Sequence, residues 1–83
     1  MNMESLWEQT VSLLSKEMPY VSYHTWVEGN MVPGLLEGDT LSVMIKMEQV
    51  IPMIQSKYAD LIEHTLSKVA GRPIKIALLN KHE

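Results

Sequence analysis

The 83-residue chain predicts a two-layer α+β domain with the element order α-α-β-β-α-β and a three-stranded sheet. Three patterns carry that expectation. Apolar residues recur at helical spacing over residues 5–18. Short alternating apolar runs flank the turn Glu37-Gly38-Asp39. A broad apolar stripe over residues 48–70 leads into a final alternating run. A chain this short buries only about 60–65% of its extended surface, so it has material for one core and is read as a single domain, 1–83.

The first element is SLWEQTVSLLSKEM, with Leu6, Trp7, Val11, Leu13, Leu14 and Met18 on one side. With Thr10 among them, these residues span roughly 160° of a helix surface, and Glu4 sits where the dipole of a first turn favours a carboxylate. Pro19 ends that helix or opens the next. Ser22 is the expected N-cap of a short second helix, YHTWVE, and Gly29 its left-handed terminator. Tyr23, Trp26 and Val27 share a face there. A helix of two turns is stable only when docked, so Tyr23 and Trp26 are expected as core anchors, Trp26 centrally and Tyr23 with its hydroxyl at the rim.

From Met31 the period changes. MVPGLL (31–36), the turn 37–39 and TLSVMI (40–45) predict a hairpin, with Gly38 taking the positive φ of the loop. Leu41, Val43 and Ile45 alternate with Thr40, Ser42 and Met44, and Pro33 with Gly34 predicts an edge or a bulge in the first strand. The stripe Val50, Ile54, Tyr58, Leu61, Ile62, Thr65, Leu66 and Val69 predicts one long helix over 48–70, with Tyr58 a further core anchor. Pro52 asks for a kink, or for a helix start near Gln49. Gly71 and Pro73 stop the helix, and PIKIALL (73–79) alternates as a third strand. A helix joining the second and third strands makes those strands parallel, with all helices on one sheet face.

Charge and motif content narrow the function classes. Ten acidic against seven basic residues give net −3, the wrong sign for a chain whose main task is neutralising phosphates. The basic residues Lys46, Lys57, Lys68, Arg72, Lys75 and Lys81 keep open at most weak single-stranded DNA binding. His24, His64 and His82 are isolated and there is no cysteine, so no metal and no cofactor is expected. Nucleophile-elbow and Walker loops are missing, as is the Gly-x-x-Gly clamp of nucleic-acid-binding KH modules. An enzyme is not expected. No run of 18 apolar residues occurs, so no membrane partner is expected, and an acidic N-terminus without cysteines fits a cytoplasmic protein.

The runs LWEQTVSLLSKEM, SYHTW, LLEGDTLSVMI and SKYADLIEHTL, in that order, resemble domain I, the N-terminal domain of the bacterial replication initiator DnaA. The resemblance covers residues 6 to 79 and is most specific at Ser22-Tyr23-x-x-Trp26, Gly38-Asp39-Thr40-Leu41 and Lys57-Tyr58. It implies a KH-like fold and a part in DNA replication initiation: weak self-association (oligomerisation), with recruitment of the replicative helicase or initiation regulators. Where the family often has Pro-Asn and then an aromatic, this chain reads Met47-Glu48-Gln49. Met47 stands for the usual Asn cap and Gln49 for the aromatic associated with helicase contact. A KH-like single-stranded nucleic-acid-binding module and a free-standing regulator that pairs with an initiator are the alternatives.

Two surfaces are expected to carry that function. The apolar stripe of the first helix is wider than a surface helix needs. Either Leu6 with Leu13, or Trp7 with Val11 and Met18, is left over, and the resemblance points to Trp7; Leu6, Trp7 and Val11 are thus the expected self-association surface of a weak homodimer. The second surface comprises Ser22, Met47, Gln49 and Met53. The resemblance sets the second helix beside the start of the long one, and Met53 falls about 60° outside the apolar stripe. Methionines suit adaptable partner contacts.

Overall fold

The computed structural model of the chain describes residues 2–80. Helix α1 spans Met3–Glu17. Its start is set by Asn2, whose side-chain oxygen accepts the Ser5 N–H at 2.7 Å and so satisfies one of the helix's unpaired donors. Glu4 lies in the first turn and Lys16 in the last, both signs matching the helix dipole. The chain leaves α1 at Met18 in an extended conformation, as the following Pro19 requires. Leu6, Trp7, Thr10 and Leu14 face inward. The buried Thr10 hydroxyl donates to the Leu6 carbonyl at 2.7 Å, so no polar group is stranded.

The second helix departs from the expected boundaries. Helix α2, Tyr20–Ser22, runs directly into a π-helical segment, Tyr23–Glu28. Ser22 lies inside the helix at φ −63°, ψ −43°, and Pro19 takes the cap position at φ −55°, ψ 146°. Proline is pre-set for that entry because its ring fixes φ. Gly29 is not left-handed but sits at φ −93°, ψ 1°. The π segment explains this: the Gly29 N–H reaches back to the His24 carbonyl at 3.3 Å, so the last turn closes through a wider loop without a left-handed residue.

Strands β1, Met31–Glu37, and β2, Thr40–Ile45, form an antiparallel hairpin around Gly38 at φ 61°. Their register shifts between Pro33 and Leu36, where proline removes a ladder donor. Strand β3, Lys75–Asn80, lies parallel to β2 and completes an open sheet of order β1-β2-β3. On the β2 side, the Lys75 N–H donates to the Asp39 carbonyl at 2.7 Å. The next N–H, that of Ile76, faces away from β2 and donates to the Glu63 carboxylate at 2.9 Å, which occupies part of an otherwise open sheet edge.

The single helix expected over 48–70 is divided. A 3₁₀ turn, Glu48–Val50, precedes α3, Ile51–Lys57, and α4, Ala59–Ala70. Pro52 lies in the first turn of α3, where its missing N–H costs nothing. Tyr58 separates the two helices at φ −123°, ψ −12°. Its own N–H still bonds the Ile54 carbonyl at 2.8 Å, and its carbonyl accepts the Ile62 N–H at 2.9 Å, so the break re-aims the helix without losing these bonds. Gly71, at φ 76°, ends α4. Ser67 then ties that end to the strand, its hydroxyl accepting the Ile74 N–H at 2.8 Å.

The core lies between the helices and one sheet face. Leu41, Val43 and Ile45 of β2 meet Leu14 of α1, Ile54 of α3, and Ile62 and Leu66 of α4, all fully buried. Helix α1 packs on α4, on β1 and on the π segment, while α3 and α4 pack on β3. The result is an α+β domain with an open, mixed three-stranded sheet. No helix among the described residues is long and apolar enough to cross a membrane.

Candidate functional site: the clamped second helix

Asn30 is the polar centre of this region and is fully buried. Its side-chain N–H₂ donates to the Trp26 carbonyl at 3.3 Å, and its side-chain oxygen accepts the Met47 N–H at 3.0 Å. Its backbone carbonyl accepts the Lys46 N–H at 3.0 Å. One side chain thus joins the end of the π segment to the link between β2 and the 3₁₀ turn. An asparagine suits this task because it offers a donor and an acceptor together.

The clamp brings Met47 beside the second helix and leaves the helix start outside the core. Tyr20 is 76% exposed and Val21 72%. Sequence patterning missed both, although Pro19 marks a helix beginning at Tyr20. The Tyr20 ring lies 4.1 Å from that of His24, centroid to centroid, and Tyr23 meets His24 edge-on at 5.5 Å. His24 in turn pairs with Glu28. Of the expected partner-binding residues, Ser22 and Met47 are half-buried and Gln49 is exposed. Met53 is half-buried and packs against the core, which limits its freedom as an adaptable contact.

The Tyr23 phenol is held above its ordinary range, first by burial and then by the Glu28 carboxylate. Burial and a negative neighbour both disfavour the phenolate. The folded chain therefore keeps this proton when the unfolded chain, with a pKa of about 10, has lost it. Stability should fall as pH rises through about 10. Urea unfolding between pH 8 and 11 checks this: Tyr23→Phe should flatten the alkaline fall, and an unchanged slope contradicts the assignment.

The expected self-association residues sit elsewhere than the stripe suggested. Trp7 is 8% exposed and Leu6 3%, while Val11 is half-buried against the core. Leu6 and Trp7 therefore offer no free contact in the folded chain. The stripe is wide because α1 is packed on three sides, by α4, β1 and the π segment. Among the expected anchors, Tyr58 is buried, whereas Tyr23 and Trp26 are half-buried against the core. The deepest residue of the second helix is Val27.

Two concavities accompany these elements. One of about 110 Å³ lies between α1 and α4, lined by Leu13, Glu17, Leu61, His64, Thr65 and Lys68. Another, of about 210 Å³, lies where Asn2 and Met3 approach Leu36 and Arg72. Arg72 is tied to the hairpin turn through the Asp39 carboxylate and the Gly38 carbonyl. Lys81 and His82 lie outside the described residues. Among the described residues no group of three His, Cys, Asp or Glu side chains is placed to hold a metal ion. No protein-family model matches the chain.

Proposed function

We propose that the chain is a non-enzymatic protein-interaction module of the kind it resembles, domain I of the replication initiator DnaA, with the finer KH-like arrangement that this implies. In this reading it recruits the replicative helicase or an initiation regulator through the start of α2 and the clamped segment around Met47 and Gln49, and it associates weakly with itself. The observation that carries the reading is the pair Tyr20 and Val21, exposed side by side on a helix whose far end is fixed by Asn30. A large exposed aromatic on a rigid element is the usual anchor of a protein interface. Rigidity lowers the ordering cost of binding. Single-strand binding gains less support, since Arg72, one of the basic residues that kept it open, is engaged with Asp39.

Replacing both Tyr20 and Val21 by Ala should leave the melting temperature nearly unchanged, because neither is buried. Binding to the purified replicative helicase of the same cell should weaken at least about tenfold. Calorimetric titration of parent and variant decides: equal binding by both, or no binding by the parent, contradicts helicase recruitment at this face.

A further inference from the structure

We infer that the uncovered face of the sheet is where a second copy of this chain docks, with the two-fold axis running along β2. The inference deepens the self-association part of the reading above and rests on it; helicase recruitment concerns a different surface.

The helices cover one face of the sheet only. The other face can be read row by row from the strand register. Val32, Met44 and Leu79 lie abreast on β1, β2 and β3. Val32 is 38% exposed and Leu79 43%, and none of the three belongs to the core or packs against it. Next comes Ser42 beside Ala77. Gly34 lies over Ser42, where a side chain would come within 3.1 Å of the Ser42 Cβ, and the register shift there leaves Leu35, 68% exposed, beside this row. The last row is Glu37, Thr40 and Lys75. It sets a negative charge on the β1 edge and a positive one on the β3 edge, and neither side chain is in an ion pair among the described residues.

That charge arrangement selects the occupant and its orientation. A two-fold axis parallel to β2 exchanges the β1 and β3 edges and keeps each row opposite itself. Glu37 of one copy then faces Lys75 of the other, twice. Val32 faces Leu79, also twice, and Met44 meets its own mate on the axis. An axis across the strands would instead lay Glu37 and Lys75 on the apolar row, leaving both charges unpaired against apolar surface. Stacked sheets lie about 10 Å apart, a gap that Glu and Lys side chains span together. Three strands about 4.8 Å apart, over five residues each, bury only about 500 Å² in the pair. This is well below the roughly 1,200 Å² of a stable interface, so the dimer is weak, with a dissociation constant of roughly 0.1–1 mM.

Sedimentation and NMR diffusion across roughly 0.05–2 mM test this with charge reversals at exposed positions, each variant first checked for an intact amide spectrum. Glu37→Lys and Lys75→Glu should each weaken self-association by roughly tenfold, since each creates two like-charge pairs. Mixing the two single variants should restore association as a heterodimer, because both contacts become attractive again. The chain carrying both substitutions should self-associate like the parent. Methyl signals of Val32, Met44 and Leu79 should broaden with concentration. A parent that stays monomeric over this range, single variants that associate as the parent does, a mixture that fails to associate, or broadening centred on α1 instead would each overturn the proposal.

Discussion

Trp7→Ala is expected to destabilise the chain by about 3–5 kcal/mol, the range for truncating a buried large aromatic. Trp7 is buried in the cluster that includes Leu6, Leu14 and Met18, on a helix that packs on α4, β1 and the π segment together. A domain of this size has roughly 4–12 kcal/mol in all, so the loss takes at least about a quarter of the total. Chemical denaturation followed by tryptophan fluorescence, with Trp26 as the remaining reporter, measures the loss. A variant that keeps the parent's midpoint would mean that Trp7 is a surface residue after all and would return α1 to consideration as a contact face.

Asn30→Ala should cost about 2–4 kcal/mol, although it removes only a small side chain. The Met47 N–H and the Trp26 carbonyl would each lose their hydrogen bond to Asn30; because both bonds are part-buried, each loss falls at the low end of the about 1–3 kcal/mol that a buried polar group without a partner costs. The local signature separates this from general loss of packing. Amide exchange at Met47 should accelerate more than at Leu66 in α4, since only the former depends directly on the clamp. Uniform acceleration across the chain, or a loss below about 0.5 kcal/mol, would show that Asn30 does not hold the second helix in place.

The alternation of Leu41, Val43 and Ile45 made β2 legible, and the match of Gly38 and Gly71 to positive φ fixed the hairpin and the end of α4. The parallel pairing of β2 with β3 followed from the helical connection between them. What stayed hidden was set by tertiary contacts. The break at Tyr58 involves neither proline nor glycine, so no local signal announces it. Asn30 reads as an ordinary loop residue after Gly29, and its partners, four residues before it and seventeen after, are visible only in the fold. Trp7 is buried despite the width of the stripe, because an apolar stripe records how much of a helix is covered, not by how many neighbours. The apolar spacing starts the helix at Tyr23, three residues after its true start at Tyr20, and so passes over Tyr20 and Val21.

We propose the clamped second helix as a partner-binding face. Its most direct measurement is an NMR titration of the isotope-labelled chain with the purified replicative helicase. Amide shifts should move at Tyr20, Val21 and Ser22 and at Met47 and Gln49, while Val32 and Leu79 on the open sheet face stay at their dilute positions. Shifts confined to the groove between α1 and α4, or to the sheet face, or no shifts at all, would contradict the claim.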